Sequence, residues 1–502
     1  MNHLVSVLRN SYAPHPLRLQ AARTLDDVLL IVPRNTGSSE ERRKIIQSLL
    51  LDVLSEQVKP DTIQGNSVTV VEIRKMGLET LHQILQSAGH TLVVGWDVVF
   101  GMLGSVCDSN LPILEQTATS PTSVSSRPRP PRLTYSTAAE KGSAILVRIA
   151  FQSLTLVCDT LATLSPEHLR LCISTIGQFG RQADTNIALT AAGSLLWSVS
   201  DSIQTRRKDS DQEEEYTALW MLLLLEVLGL CTDPRSEVRI GAIQTLFRTL
   251  QLYGATLSLE TWDECLWKII FPLFDSVTST MRQILQDVTP SEPVDSMGIS
   301  TDLRQAWDES KTLAYQSLSS IFDDFLTTKI IHLESFPRVW DTFVTHIQDS
   351  FMFDSSISCT AALRCLEKAI QAANSASDER IENIKTVWSR AWTACDEMGN
   401  LVLKRNRLPS LDHAASSVLL VFDQSSLLAL LDVIKTIRTI SQHKQGHEWE
   451  IEQLTRLLVI LKGLKTLLSL YLLFISSSGI LTYPDSPKYR MDIDDLTPVQ
   501  VR

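Results

Sequence analysis

Positive charge, thiol pairs and phosphate-cradling loops are what this sequence is short of, and each shortage removes a class of function. Lys and Arg number 46 against 57 Asp and Glu, a formal net charge of −11. Nucleic-acid binding needs a basic domain or stripe, so that class has no electrostatic footprint here. Cysteine is sparse at eight in 502 residues. No CxxC pair occurs, and the eight read as reduced, buried thiols of a cytosolic setting. No GxxxxGK[ST] or GxGxxG loop is present to hold phosphate at a helix N-terminus. A GxSxG elbow is absent too, so an α/β-hydrolase serine has no seat. The opening MNHLVSVLRN has no basic region leading into an apolar core, and no secretory signal is expected.

Long hydrophobic runs are also scarce. From Thr466 to Pro484 no charge occurs, but serines and Gly479 interrupt the stretch. Its strongly apolar part, Leu467 to Ile475, is far shorter than the ~20 residues a membrane span needs, so a buried helix is expected. His443 and His447 have the i, i+4 spacing of two helix-borne metal ligands. Gly446 breaks that segment, no HExxH forms and no third ligand is nearby, so neither a metal nor a cofactor is expected.

What the chain has is helix. The composition, 44% hydrophobic and 21% charged, is that of an ordinary soluble protein. The length exceeds what one core usually serves, so several domains or a repeat array is expected. Alternating strand patterns are nearly missing. Helical patterns cover Glu41–Val58, Val71–Ala88, Ser143–Leu164, Ala218–Leu230, Leu303–Leu326, Cys359–Ala373, Ile381–Met398 and Gln453–Phe474, with Gly-, Pro-, Asp- or Ser-rich breaks between them. The fold class is all-α.

One stretch recurs. In "VRIGAIQTLFRTLQLYGATLSLETWD" (238–263) and "IRKMGLETLHQILQSAGHTLVVGWD" (73–97), an Arg is followed after five residues by Thr-Leu. Both then carry Gly-x-Thr-Leu after seven more residues, and Trp-Asp after a further three or four. Arg239, Thr245, Gly254 and Trp262 thus correspond to Arg74, Thr80, Gly89 and Trp96. The apolar stripes also match, Ile73 with Val238, Leu78 with Ile243, Leu81 with Leu246 and Leu85 with Leu250. A third, partial copy is "LRLQAARTLDDVLLIV" (17–32), with Arg18, Thr24 and an expected face of Leu17, Ala21, Leu25 and Leu29. Asp233 and Pro234 suit the N-cap and N1 positions ahead of the 238–254 copy. Gly77, Ala242 and Ala21 share one place, where close helix approach leaves no room for a side chain.

Arg74 and Arg239 lie 165 residues apart, close to four repeats of about 41 and inside the HEAT and armadillo range. A HEAT/armadillo-like α-solenoid of stacked antiparallel helix pairs is therefore expected, with room for roughly ten or eleven repeats. The arginines read as a ladder bonding Asp or carbonyls of an adjoining turn, Asp233 being the nearest partner for Arg239; a surface contact is the other reading. Repeats are placed at 1–116, 142–288 and 302–480. Between them lie a Ser/Thr/Pro/Arg-rich loop at 117–141 and a loop at 289–301, with an extended tail at 481–502. Shorter charged loops are expected at 206–215 and 441–448.

Trp-Asp occurs at 96–97, 262–263, 307–308 and 340–341. The helical flanks rule out a propeller signature. The tryptophans read either as packing of the turns between repeats, with Asp at the positive helix end, or as exposed binding anchors. Cys359 and Cys365, beside Leu363 and Leu366, read as core thiols. No residue set invites catalysis, and no enzyme is expected.

Longer blocks carry a resemblance. Residues 78–107, 171–201 ("LCISTIGQFGRQADTNIALTAAGSLLWSVSD"), 219–254 and 481–494 ("LTYPDSPKYRMDID") resemble the carboxy-terminal half of Mon-two proteins. These are HEAT-type relatives of the large Golgi Arf exchange factors that lack the catalytic Sec-seven domain. The resemblance implies a non-enzymatic scaffold in endosome-to-Golgi transport, cytoplasmic and peripheral on trans-Golgi and endosomal membranes. The partners it implies are Dopey-type proteins, a phospholipid flippase and Arf-like GTPases, with membrane association indirect. A regulator of nucleotide exchange on an Arf-family GTPase and an importin-type receptor are the other readings. Relative to the family the chain starts at the middle region and ends soon after "YRMDIDDLTPVQ", as a fragment would. The matching blocks are repeat-packing segments, so no catalytic residues carry over.

Overall fold

The computed structural model describes residues 1–31, 40–59, 67–107, 138–207, 213–287, 295–375, 381–405, 423–444 and 450–477. All regular structure among them is helical, and the chain divides into two compact units, Met1–Thr245 and Leu246–Arg502.

In the first unit the helices are α1 (Asn2–Arg9), α2 (His15–Ile31), α3 (Glu40–Val58), α4 (Ser67–Ala88), α5 (Trp96–Gly104) and α6 (Ala138–Cys158). They continue with α7 (Pro166–Gly180), α8 (Thr185–Thr190), α9 (Leu196–Arg207) and α10 (Glu213–Leu230); α11 (Ser236–Tyr253) runs across the division between the units. A π-turn, Ala191–Leu195, joins α8 to α9. Helices α1, α3, α5, α7 and α10 pack in succession as one row, and α2, α4 and α6 as a second row against it. The second unit repeats the plan. Its elements are α12 (Leu259–Cys265), a π-turn at Leu266–Ile270, α13 (Phe271–Asp287), α14 (Asp295–Phe325), α15 (Phe336–Phe353), α16 (Ser356–Asn374), α17 (Ile381–Arg405), α18 (Gln424–Lys444) and α19 (Ile451–Ser477). One row is α13, α15, α17 and α19; the other is α14, α16 and α18. Each unit is a solenoid of stacked helix pairs.

Local chemistry sets the helix starts. Ser165 precedes Pro166 at N1 and accepts from His168 N, and Ser258 accepts from Thr261 N at 3.1 Å. Asp184 takes Asn186 N and Ile187 N, and Ser355 takes Ser358 N. The acidic run Glu213–Glu215 sits at the positive end of α10, and Arg206 and Arg207 at the negative end of α9.

Several expected boundaries move. Ser236, not Asp233 or Pro234, begins α11. The Asp233 carboxylate accepts from Arg235 N at 2.9 Å instead, holding a turn ahead of the helix. Helix α6 already begins at Ala138 and α14 at Asp295, inside the loops expected at 117–141 and 289–301. Between α4 and α11 the described residues supply helices α5 to α10; residues 108–137, within that span, lie outside them. Residues 441–444 of the loop expected at 441–448 are the end of α18, while 445–448 with His447, the rest of the 117–141 loop and the 481–502 tail lie outside the described residues. His443 falls on α18, and its side chain is likewise outside them.

Candidate functional site

The buried ionisable residues come first, because chemistry would need them. Arg18, Arg74 and Arg239 are 2%, 7% and 0% exposed. Each guanidinium donates to main-chain oxygens where a preceding helix ends or turns. Arg18 Nη2 reaches Leu8 O at 2.8 Å, and Arg74 Nε reaches Val58 O at 2.7 Å. Arg239 Nη1 reaches Asp233 O at 2.7 Å and Pro234 O at 3.3 Å. A helix C-terminus leaves carbonyls without partners, and a buried cation is well matched to them. Burial lowers the pKa of all three, for Arg239 against the pull of Asp233 and Glu237. The Asp233 carboxylate is engaged elsewhere, with Arg235 at 2.8 Å.

The three do not hold equivalent places along their helices. Arg18 and Arg239 lie in the first turn, but α4 starts at Ser67 and puts Arg74 about two turns in. The third copy is also offset on its face: Ala21, Leu25 and Leu29 are buried while Leu17 is 53% exposed. The threonines differ as well. Thr24 is exposed and bonds Gln20 O, Thr80 is buried and bonds Asp26, and Thr245 bonds Gly241 O within its own helix.

A recurring turn follows the second-row helices. At Gly89–Thr91 and Gly254–Thr256 the chain makes one 3₁₀ turn, closed by Leu92 N on Gly89 O and Leu257 N on Gly254 O, both at 3.2 Å. Thr91 and Thr256 hydroxyls each bond the carbonyl three residues back. The same turn appears at Leu161–Thr163 and Ile330–His332, which sequence comparison missed because no glycine marks them. The signal available was Ala-Thr-Leu-Ser, shared by 162–165 and 255–258. In each turn a side chain distant in sequence covers a carbonyl: Gln47 on Thr91 O, Arg206 on Leu164 O, Lys329 on Leu257 O and Asn383 on Ile331 O.

All four Trp-Asp tryptophans are buried, at 1% or less for Trp96, Trp262 and Trp340 and 2% for Trp307, so none is an exposed anchor. Asp97 lies in the first turn of α5. Asp263 accepts from Trp267 Nε1, Asp341 pairs with Arg390, and Asp308 accepts from Ser358. The eight cysteines are free and buried. Burial pushes the Cys359 and Cys395 thiols up to about 12 and raises Cys231, Cys265 and Cys365 further. A nucleophilic cysteine needs the opposite shift.

A polar recess of about 310 Å³ lies between α13 and α15. His346 stacks on Phe271 and lies beside Phe274, with Nε2 3.9 Å from Asp275 Oδ1. Burial lowers its pKa and favours the neutral imidazole. Arg282 pairs with Asp349 at 3.5 Å and lies over the Phe353 ring. Close by, Lys311 and Asp354 form a buried ion pair at 2.7 Å, and Lys311 Nζ donates to Thr278 Oγ1. Tyr315, fully buried, bonds His346 O and Ser350 Oγ. Sequence reasoning passed over Lys311, although it sits on the stripe of Trp307, Ala314 and Leu318, where a lysine must find a partner. The recess can hold a polar side chain, but Arg282 and Asp349 are already paired across the helices. Among the described residues no three His, Cys, Asp or Glu side chains gather as a metal site.

Comparison with known proteins places these features. Residues 210–391 match the model of the C-terminal region of Mon2 protein. The chain is 27% identical over 383 residues to the Protein MON2 homolog of Drosophila melanogaster, covering 69% of this chain and 20% of that protein. It is 27% identical over 370 residues to the Homo sapiens homolog, covering 66% and 19%. Brefeldin A-inhibited guanine nucleotide-exchange protein 2 of Arabidopsis thaliana is 28% identical over 151 residues, 30% of this chain and 8% of that one. Among solved structures, a circular tandem repeat protein aligns over 89% of this chain and 97% of its own at 11% identity, with a TM-score of 0.36. The chain spans about a fifth of the length of the curated relatives it matches. The matches support a C-terminal region of the Mon2 family.

Proposed function

We propose that the chain is a non-enzymatic helical-repeat scaffold in endosome-to-Golgi protein trafficking, binding protein partners on its solenoid surface. The observation that carries this reading is the family match over 210–391. The buried arginines support it, since each is spent on a carbonyl of its own unit rather than facing a substrate. The partners proposed are a Dopey-type scaffold, a phospholipid flippase and an Arf-like GTPase, at trans-Golgi and endosomal membranes. Attachment there is peripheral and through partners. No described helix is long and apolar enough to cross a membrane, and the net charge of −11 disfavours anionic lipid. Affinity capture of the tagged chain with mass spectrometry tests the reading. Recovery of a Dopey-type protein supports it, and recovery of no Golgi or endosomal protein overturns it.

The likeness to brefeldin A-inhibited exchange proteins favours a second reading, regulation of nucleotide exchange on an Arf-family GTPase. Release of a fluorescent GDP analogue from Arf-like proteins, with and without the chain, decides it. An unchanged rate rejects direct action.

A further inference from the structure

Helices α3 and α4 and the turn Gly89–Thr91 enclose a groove of about 280 Å³ floored by Leu50, Leu51, Ile84 and Leu92. Its polar lining residue Gln47 is committed: Nε2 donates to Thr91 O at 2.9 Å, and Oε1 accepts from Val93 N at 3.1 Å. The floor therefore presents hydrocarbon. Ile46, half-buried, stands at its wall, and Val93, next to Leu92, is 44% exposed. That volume lies just below the ~300–1,000 Å³ of small-molecule sites and suits one or two apolar side chains.

Charge marks the same place. Arg42, Arg43 and Lys44 form a basic run on a chain of net charge −11. Lys44 pairs with Glu40 at 3.1 Å. Arg43, half-buried, lines the groove and has no ionic or hydrogen-bond partner among the described residues. Cations near a helix N-terminus oppose the helix dipole, so Arg42 and Arg43 at the start of α3 do not serve that helix. A guanidinium with no partner among the described residues, beside an apolar floor, fits a carboxylate on a segment whose apolar residues fill the groove.

We propose that this groove docks a short amphipathic segment of a partner protein, with large apolar residues one helical turn apart and an adjacent Asp or Glu meeting Arg43. The proposal rests on the scaffold reading in that it names one surface where a partner is met, and it commits to a peptide of that chemistry.

The test is selection of displayed 16-residue peptides on the full chain, followed by binding measurements with the selected peptides. Enrichment of paired apolar residues with an acid is expected. Arg43→Glu and Ile46→Asp should each weaken binding at least tenfold, and a Glu→Lys change in the peptide should restore binding to the Arg43→Glu chain. Selected peptides indifferent to both variants, or rich in basic residues, overturn the proposal, as does failure to select any. Self-association abolished by Ile46→Asp, with no peptide bound, assigns the face to a second copy and also overturns it. Partner capture in cells is scored separately. Loss of the peptide result with Dopey-type recovery intact sinks the groove alone; a peptide result without any trafficking partner sinks the scaffold reading alone.

Discussion

The turn after α4 and the turn after α11 share letters and a backbone path, yet distribute their work differently. Both make a 3₁₀ turn at Gly-x-Thr-Leu and bury the leucine, Leu92 at 7% and Leu257 at 1% exposure. The second has one residue more between its glycine and its tryptophan. That residue lets Ser258 cap α12 and sets Trp262 one turn in, where its indole donates to Gly254 O at 2.9 Å. In the first, Gly95 stands at the N-cap with φ +86° and Trp96 opens α5. The Trp96 indole N–H is buried without a hydrogen-bond partner among the described residues. The lesson is that one inserted residue moves the constraint from one glycine to another. Gly254 is needed because Trp262 and Phe325 crowd it, Gly95 because of its backbone angle, and Gly89 for neither reason.

Alanine substitutions should break the symmetry most visibly. A Cβ on Gly254 would lie 2.6 Å from Trp262 and 2.8 Å from Phe325. Two packed rings cannot both yield, so Gly254→Ala should cost about 1–3 kcal/mol in denaturant unfolding. Gly95→Ala should cost about 1–2 kcal/mol from left-handed strain, because the Leu51 methyl in its way can rotate. Gly89→Ala meets nothing within 4 Å and should change stability by less than ~0.5 kcal/mol. Equal losses at 89 and 254 would refute the comparison.

A second difference lies about two and a half helix turns upstream. Thr80 donates to Asp26, a carboxyl that burial, with Asp27 and Glu79 nearby, pushes up to about 6. The matching Thr245 bonds only its own helix. The unfolded value is near 3.8, so between those values the folded state holds a proton the unfolded chain has released. The stability from that proton is full below the unfolded value and is lost as pH rises through about 6. Asp26→Asn should therefore stabilise the chain at pH 7.5 by roughly 1–3 kcal/mol, with the gain shrinking below pH 6. A pH-independent difference between the two proteins would count against a buried, proton-binding Asp26.

The tryptophans give the smallest contrast. Trp262→Phe removes one of the two hydrogen bonds to Gly254 O and leaves that of Leu257 N, a loss of about 1 kcal/mol beyond the change in ring size. Trp96→Phe removes an unpaired N–H and should cost less than Trp262→Phe. A larger loss at 96 would show that its indole is bonded after all.

These contrasts also show what could be read from letters. The eight helical stretches were legible because periodicity and Gly/Pro breaks act locally, and each lies on a helix apart from the last residues of Ser143–Leu164 and Leu303–Leu326. Arg74 and Arg239 aligned because their glycines lie the same distance downstream. Their depth in the helix departs from the reading that starts the stretch at Val71, because α4 starts at Ser67, directly after Asn66, a good N-cap residue. Leu17 was misassigned because Arg18, with its stem packed inward, takes the buried position beside it. The turns at 161 and 330 lack the glycine that served as the marker. The Lys311–Asp354 pair joins residues 43 apart in sequence, and partners that distant leave no periodic trace.

The central claim is that the buried ionisable groups hold the repeats together and that partners are met at the surface. Arg239→Met tests it most directly. The variant strands the carbonyls of Asp233 and Pro234, and the account predicts a loss of about 1–3 kcal/mol in denaturant unfolding. An unchanged unfolding midpoint would contradict the account and return Arg239 to the residues that act on something outside the chain.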